Sequence, residues 1–384
     1  MGLQSSTVTL TCFHVPDPPV ADVWSFIDES LHEGAYREGA QGEASAKGFA
    51  RWEDLFDASF PFASYRKGEY VAFQFRWDQR KVPPLVLKQY EREAVQAYRA
   101  EHDGKFPPRH ERLKIREAIQ NQLLERVLPQ PFGCEVVWSP AQCRLLVGTA
   151  SLKMLEAFLE HFERSFKLHP IPLYHVQWAL YGLSLPENLK DALSGLVSVK
   201  SPHALHEGRF LGYEFLTWLW YLAESRQGRV PLEQGAFATL ALGEKVVLSR
   251  QDDGKERVIC TTQAGALDEA RTALRQGKMV EEAQWIVMTA DNEYTLTLDR
   301  DLWAVKGLKT PKQIPHAEEE DPDARFLEKM FFIDEVLGVL NAAYREFLLA
   351  RLRSSWASDV LPAMRHWIQG GQLNAATSGS HDVA

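Results

Sequence analysis

The chain has 384 residues, 45% of them hydrophobic and 25% charged, with a net charge of -9. This is the balance of a folded protein with room for two or three cores, and it excludes an intrinsically disordered chain. The acidity also excludes a uniformly basic coat for nucleic acid, although it leaves room for a local patch.

The first predicted element is a strand, Thr7–Val15, in which Thr alternates with Val, Leu, Cys and His. The start of the chain lacks a basic segment followed by a long apolar core, so no secretory signal is expected, and its Met-Gly with Ser6 is a chance-level myristoylation match. After the turn PDPP, ADVWSFIDESLHE reads as a helix, and Gly34–Gly48 as a loop rich in Gly, Ala, Ser and Glu. A strand follows at Gly68–Trp77, with Val71, Phe73 and Phe75 on one face.

Two helices, about Pro84–Glu101 and His110–Val127, flank the turn HDGKFPPR. A hairpin at Cys134–Gly148 leads into an amphipathic helix, Ser151–Phe166, with Leu155, Phe158, Leu159, Phe162 and Phe166 at helical spacing. HPIPLYHV, around Pro170, marks a boundary. Beyond it come the aromatic helix GYEFLTWLWYLAESRQG and the strands AFATLAL, EKVVLSR, ERVICTT, EAQWIVMTA and EYTLTLD. The run Phe215–Ala223 is its most apolar part and falls well short of the ~20 residues a bilayer requires. Acidic HAEEEDPDA is a linker to a long helix interrupted near Gly338, and the tail from Gly370 is expected to be disordered.

These elements predict an α+β protein with mixed sheets, a helical hairpin and an extra C-terminal helix. The expected division is an N-terminal domain at 1–173, a second at 174–315, a helical extension at 322–369 and a tail at 370–384.

Short catalytic signatures are missing: the sequence has no Walker A, G-x-G-x-x-G, G-x-S-x-G or H-E-x-x-H motif. His203 and His206 have the spacing of a metal-binding pair on a helix but no visible third ligand, and a pair of loop histidines is the simpler reading. Asp252 and Asp253 could serve a metal-dependent nuclease, or sit in the D-G turn between two strands. Phe215, Trp218, Leu219 and Leu222 have core spacing, with base stacking as the alternative. Of the four cysteines, Cys134 and Cys143 could face each other across the hairpin. They lack zinc-site spacing, and reduced, buried thiols are expected. No metal or cofactor is expected.

What stands out is charge. From Arg76 to Arg116 basic residues outnumber acidic ones, against the trend of the chain. Lys88, Arg92 and Arg99 fall within about 40° of one another at 100° per residue, with Val95 in the same sector. Arg112 and Arg116 share a face of the second helix. Such rows suit a phosphate backbone, and equally a solvated helical hairpin.

In the order GEYVAFQFRWDQRK, VPPLVLKQ, the basic helical pair, LLERVLPQPF, VVWSPAQCRLLVGTAS and the helix ending near HPIPL, residues Gly48–Leu173 resemble the recombination-associated RdgC family. A weaker resemblance runs from Arg257 to Lys309. It implies an α+β, non-enzymatic protein that pairs into a ring-shaped homodimer around duplex DNA, binds with little sequence preference and competes with a RecA-type recombinase. On this resemblance Arg76, Lys81, Lys88 and Gln89 match basic-segment positions of the family, and Phe132 matches an aromatic at a dimer contact. Gln130 replaces an arginine of the family, and Thr261–Gln263 replace a Lys-Lys-Gln.

The expectation is therefore a cytoplasmic, nucleoid-associated homodimer that modulates homologous recombination. Its DNA-binding residues would be Arg76, Arg80, Lys81, Lys88, Arg92, Arg112, Lys114 and Arg116, with Phe132 at the dimer interface. Its partners would be double-stranded DNA, with single-stranded DNA as a second candidate, and its own copy; no membrane is involved. A protein-binding scaffold of the same fold and a metal-dependent nuclease using Asp252, Asp253 and a histidine are the competing classes.

Overall fold

Val8, Leu10 and Cys12 turn to one face of a sheet and Phe13 to the other, and this alternation sets the plan of the molecule. The structure, a computed structural model, describes residues 2–18, 21–40, 43–183, 185–197, 208–250, 256–261, 266–300, 304–311 and 321–370.

The strands in chain order are β1 (Thr7–His14), β2 (Ser45–Arg51), β3 (Arg66–Lys67), β4 (Tyr70–Gln79), β5 (Gln130–Ser139), β6 (Arg144–Val147) and β7 (Ile171–Pro172). They continue with β8 (Arg229–Pro231), β9 (Phe237–Ser249), β10 (Val258–Thr261), β11 (Met279–Met288), β12 (Glu293–Asp299) and β13 (Ala304–Lys309). All join one sheet in the order β10-β9-β11-β12-β13-β1-β6-β5-β4-β2, with β3 on β4, β7 on β1 and β8 on β9. β1 lies in the middle, pairing β13 on one side and β6 on the other.

The helices are α1 (Val23–Glu33), α2 (Pro84–Glu101), α3 (Arg109–Leu124), α4 (Leu152–Phe166), α5 (His175–Gln177), α6 (Glu187–Leu196), α7 (Arg209–Ser225), α8 (Ala266–Arg275), α9 (Pro322–Arg351) and α10 (Leu361–Ile368). Val71, Phe73, Phe75 and Trp77 of β4 join Phe158, Phe162 and Phe166 of α4 in one core. Tyr70 and Ala72, on the opposite face of the same strand, join the core of α7 and α9. Helices therefore cover both faces of the N-terminal strands, which is why β4 is apolar along most of its length.

α7 buries Tyr213, Phe215, Leu216, Trp218, Leu219 and Trp220, as a helix hydrophobic all round must. The core reading of Phe215, Trp218, Leu219 and Leu222 holds, since all four are buried and no ring is offered to a base.

Several expectations need correction. The sheet is single, and its strand pairings are antiparallel, where mixed sheets were expected. The loop expected to run to Gly48 ends earlier, because β2 starts at Ser45 and pairs along β4. Gly48 looks like a loop residue, yet it sits in the strand because a Cβ there would lie 2.2 Å from the Cα of Tyr36. AFATLAL and EKVVLSR are one strand, β9, running through Gly243. α9 runs unbroken through Gly338. Cys134 pairs in register with Phe75 rather than facing Cys143; all four cysteines are free thiols, and burial pushes that of Cys12 up to about 12. Among the described residues no helix is long and apolar enough to cross a membrane.

Candidate nucleic-acid interface

β4 leaves the sheet at Gln79 and the chain enters a helical hairpin through Val82-Pro83-Pro84. Pro83 caps α2 and Pro84 opens it, where the missing N–H has no intrahelical acceptor to lose. Asp103 and Gly104, both at positive φ, turn the chain, and α3 returns it to β5. α2 buries no residue, and α3 buries only Ile119, Leu123 and Leu124 near its end. The hairpin is thus anchored at its root and held together by its own seam. Arg116 Nε forms an ion pair with Glu91 Oε1 at 3.2 Å across that seam.

With Glu91 facing α3, Lys88 and Arg92 lie about 60° and 100° round the helix from it. Their stripe therefore runs beside the seam and into solvent. Lys81, Lys88, Arg92 and Arg112 are all exposed, and none has a carboxylate partner among the described residues. Arg80 is half-buried, with Nη1 donating to the carbonyls of Glu43 at 2.9 Å and Ala40 at 3.4 Å. Those acceptors are neutral, and Arg80 also helps to hold the nearby Asp78 carboxyl low. Lys114 is paired with Glu111 at 3.1 Å, an exposed contact that a phosphate could replace.

Arg76 has a different task. Its Nε and Nη2 donate to both oxygens of Asp78 at 2.8 and 2.7 Å, and its guanidinium stacks on Tyr36 at 3.9 Å and Phe56 at 4.7 Å. Asp78 is buried and also accepts from the Tyr36 hydroxyl at 2.9 Å. Burial pushes the Asp78 carboxyl upward, but the hydrogen bonds from Arg76 and Tyr36 outweigh it and hold the group below its usual range. The charge of Arg76 is committed inside the fold.

Phe132 lies on β5 in register with Trp77 and is 41% exposed. Leu85, Leu113 and Leu128 are exposed on or near the hairpin.

Two further cations belong to this end of the sheet. Lys47 and Lys153 place their ammonium groups 5.6 and 4.9 Å from the Trp77 ring. Lys47 is also paired to Glu160 at 2.7 Å, while Lys153 makes a long contact to Gln79, 3.5 Å, and has no carboxylate partner among the described residues. Sequence reading missed both because 47, 77 and 153 converge only once β2 pairs with β4 and α4 packs. The one available signal was the lysine facing an aromatic strand.

The alternative chemistries are sparse. Among the described residues no three His, Cys, Asp or Glu side chains converge as a metal site. His203, His206, Asp252, Asp253, Thr262 and Gln263 lie outside the described residues, as does the tail beyond Gly370. Residues 10–181 match a family model described as "RdgC: Putative exonuclease, RdgC". No curated protein matches the chain.

Proposed function

We propose, from the match of residues 10–181 to the RdgC family model, with just over half of the chain outside that match, that the protein is a member of this family and binds DNA without reading sequence. In this reading it occupies DNA as a ring-shaped homodimer, limits a RecA-type recombinase and so modulates homologous recombination. It is not an enzyme, and it works in the cytoplasm at the nucleoid.

The observation that carries the proposal is the α2–α3 hairpin. It buries almost nothing, yet presents Lys81, Lys88, Arg92 and Arg112, which have no carboxylate partner among the described residues. Cations of this kind position a protein on phosphates and release counterions, without contacting base edges. Arg80, Lys114, Lys47 and Lys153 extend the charge toward the hairpin root. Arg76 contributes by bracing the end of β4 through Asp78.

Fluorescence anisotropy with duplexes of unrelated sequence, at rising salt, tests this. Affinity should be similar between sequences and fall steeply with salt. A flat salt response, or no binding at low salt, sinks the reading. Single-stranded oligonucleotides in the same assay decide strand preference.

The exposed Leu85, Leu113 and Leu128 favour a second reading, a scaffold that binds protein through the same hairpin. That reading predicts that charge reversal at Lys88 and Arg92 leaves the partner bound. Incubating plasmid DNA with Mg²⁺ or Mn²⁺ tests the exonuclease chemistry in the family's description, and cleavage would overturn the non-enzymatic proposal.

A further inference from the structure

A cavity of about 690 Å³ lies where the first three turns of α9 meet the N-terminal segment, the end of β2, β3 and the end of β13. It falls within the size range of small-molecule sites and is distinct from the hairpin. Leu3, Trp52, Phe326, Met330 and Ile333 give it apolar walls, with Trp52 and Phe326 edge to face at 5.3 Å. Among the described residues that line the same space are three cations, Lys67, Arg325 and Lys329, and one carboxylate, Glu53.

The two lysines are treated in opposite ways. Lys67 is buried between Glu53 at 2.6 Å and Asp323 at 2.7 Å, so its charge is met within the fold. Lys329 donates to the Ser5 carbonyl and the Thr310 hydroxyl, both at 2.9 Å, and has no carboxylate partner among the described residues. An ammonium has three donors, and these two neutral acceptors leave one donor and the whole charge uncompensated. Burial pushes its pKa down, as expected for a cation in a desolvated wall without a counter-charge. If the contacts to Ser5 and Thr310 were the whole purpose, a neutral donor would serve at lower desolvation cost.

We propose that this cavity binds a small organic anion, whose phosphate or carboxylate pairs with Lys329 and whose apolar body lies against Trp52, Phe326 and Ile333. Because α9 supplies Lys329 and Phe326 while the N-terminal half supplies Trp52 and Ser5, the ligand bridges two parts of the fold. Its binding should therefore raise thermal stability.

The test uses the full chain with three probes: AMP, an aromatic phosphate; octanoate, an alkyl carboxylate; and inorganic phosphate. Calorimetric titration should give one saturable site for AMP or octanoate, with a concentration-dependent rise in melting temperature. Which of the two binds identifies the ligand class. Lys329→Gln should weaken binding about tenfold or more, the loss expected for a charge-assisted contact. Ser6→Trp, at an exposed position on the rim, should block the cavity while leaving Lys329 and the core in place. Circular dichroism verifies that both variants fold. Absence of saturable binding by either organic anion would overturn the proposal. So would wild-type affinity in both variants, or inorganic phosphate binding as tightly as the better organic probe.

Discussion

Asp334 and Glu335, neighbours on α9, bind opposite halves of the sheet. Asp334 accepts from Arg144 on β6 and from the Tyr70 hydroxyl on β4, the latter at 2.8 Å. Glu335 accepts from the Tyr294 hydroxyl on β12 and from Asn292 at 3.0 Å. One turn of a helix that belongs to no family-matched segment thus ties the matched half of the molecule to the rest.

The first prediction concerns this clamp. Asp334→Ala removes the partner of a half-buried arginine and should cost about 1.5–3 kcal/mol in urea unfolding, the range for hydrogen bonds to charged groups. Glu335→Ala should cost a similar amount. The double variant should release α9 to limited proteolysis before the sheet unfolds. Equal protease resistance in all forms would show that apolar packing alone seats the helix.

Arg76 and the hairpin cations should separate in their effects. Arg76→Ala leaves the buried Asp78 carboxylate unpaired and should destabilise the fold by about 3 kcal/mol. Lys88→Glu and Arg92→Glu, both exposed and unpaired, should leave stability within about 0.5 kcal/mol of wild type. The hairpin double variant should lose DNA affinity, and replacing both cations by Gln should reduce the log–log salt slope by about 1.8, or 0.9 per phosphate contact. If Arg76→Ala melts like wild type, the assignment of its charge to the fold is wrong.

How far the sequence could be read differs between backbone pattern and side-chain partnership. The periodicity of β4 and α4 was visible because both bury apolar faces at fixed spacing, and the hairpin helices because proline, Asp-Gly and charge punctuate them. β2 was partly hidden, because Gly48 and its alanines carry little strand propensity and the strand exists through pairing with β4. Arg76 was legible as a basic residue after a strand, but nothing local showed that Tyr36 and Phe56 would close over it. Lys329 was still less visible. Its meaning depends on Ser5 and Thr310, more than 300 and 19 positions away, which only the folded chain brings to it.

The oligomeric state gives a third prediction. Phe132 is 41% exposed at the end of β5, so Phe132→Asp should fold normally. If the chain works as a homodimer through this edge, sedimentation should show a dimer for wild type and a monomer for the variant at micromolar concentration. A monomeric wild type, or an unchanged dimer in the variant, would move the interface elsewhere.

The fourth prediction is a pH dependence set by His161. The ring is buried; its Nε2 is 2.8 Å from the Gly34 carbonyl and must donate to it, while Nδ1 accepts from Arg164 Nη2 at 2.8 Å. The neutral tautomer satisfies both contacts. Protonation would place a second cation against Arg164, with Lys47 also nearby and Glu160 the opposing carboxylate. Burial first, and then these two cations, lower the pKa, outweighing the Gly34 contact that raises it. The unfolded histidine titrates near ~6.5, so below that pH the unfolded state binds more protons than the folded one. The histidine's contribution is therefore complete above about pH 6.5 and is lost as pH falls toward the folded pKa. Melting temperatures measured from pH 7.5 to 5 should decline for wild type and decline less for His161→Gln, which keeps an N–H for Gly34 and cannot titrate. The carboxylates held low, Asp57 at about 2 and Asp78, act further down the pH scale and do not blur this window. Parallel pH profiles for the two proteins would mean that the ring is not held neutral between Gly34 and Arg164.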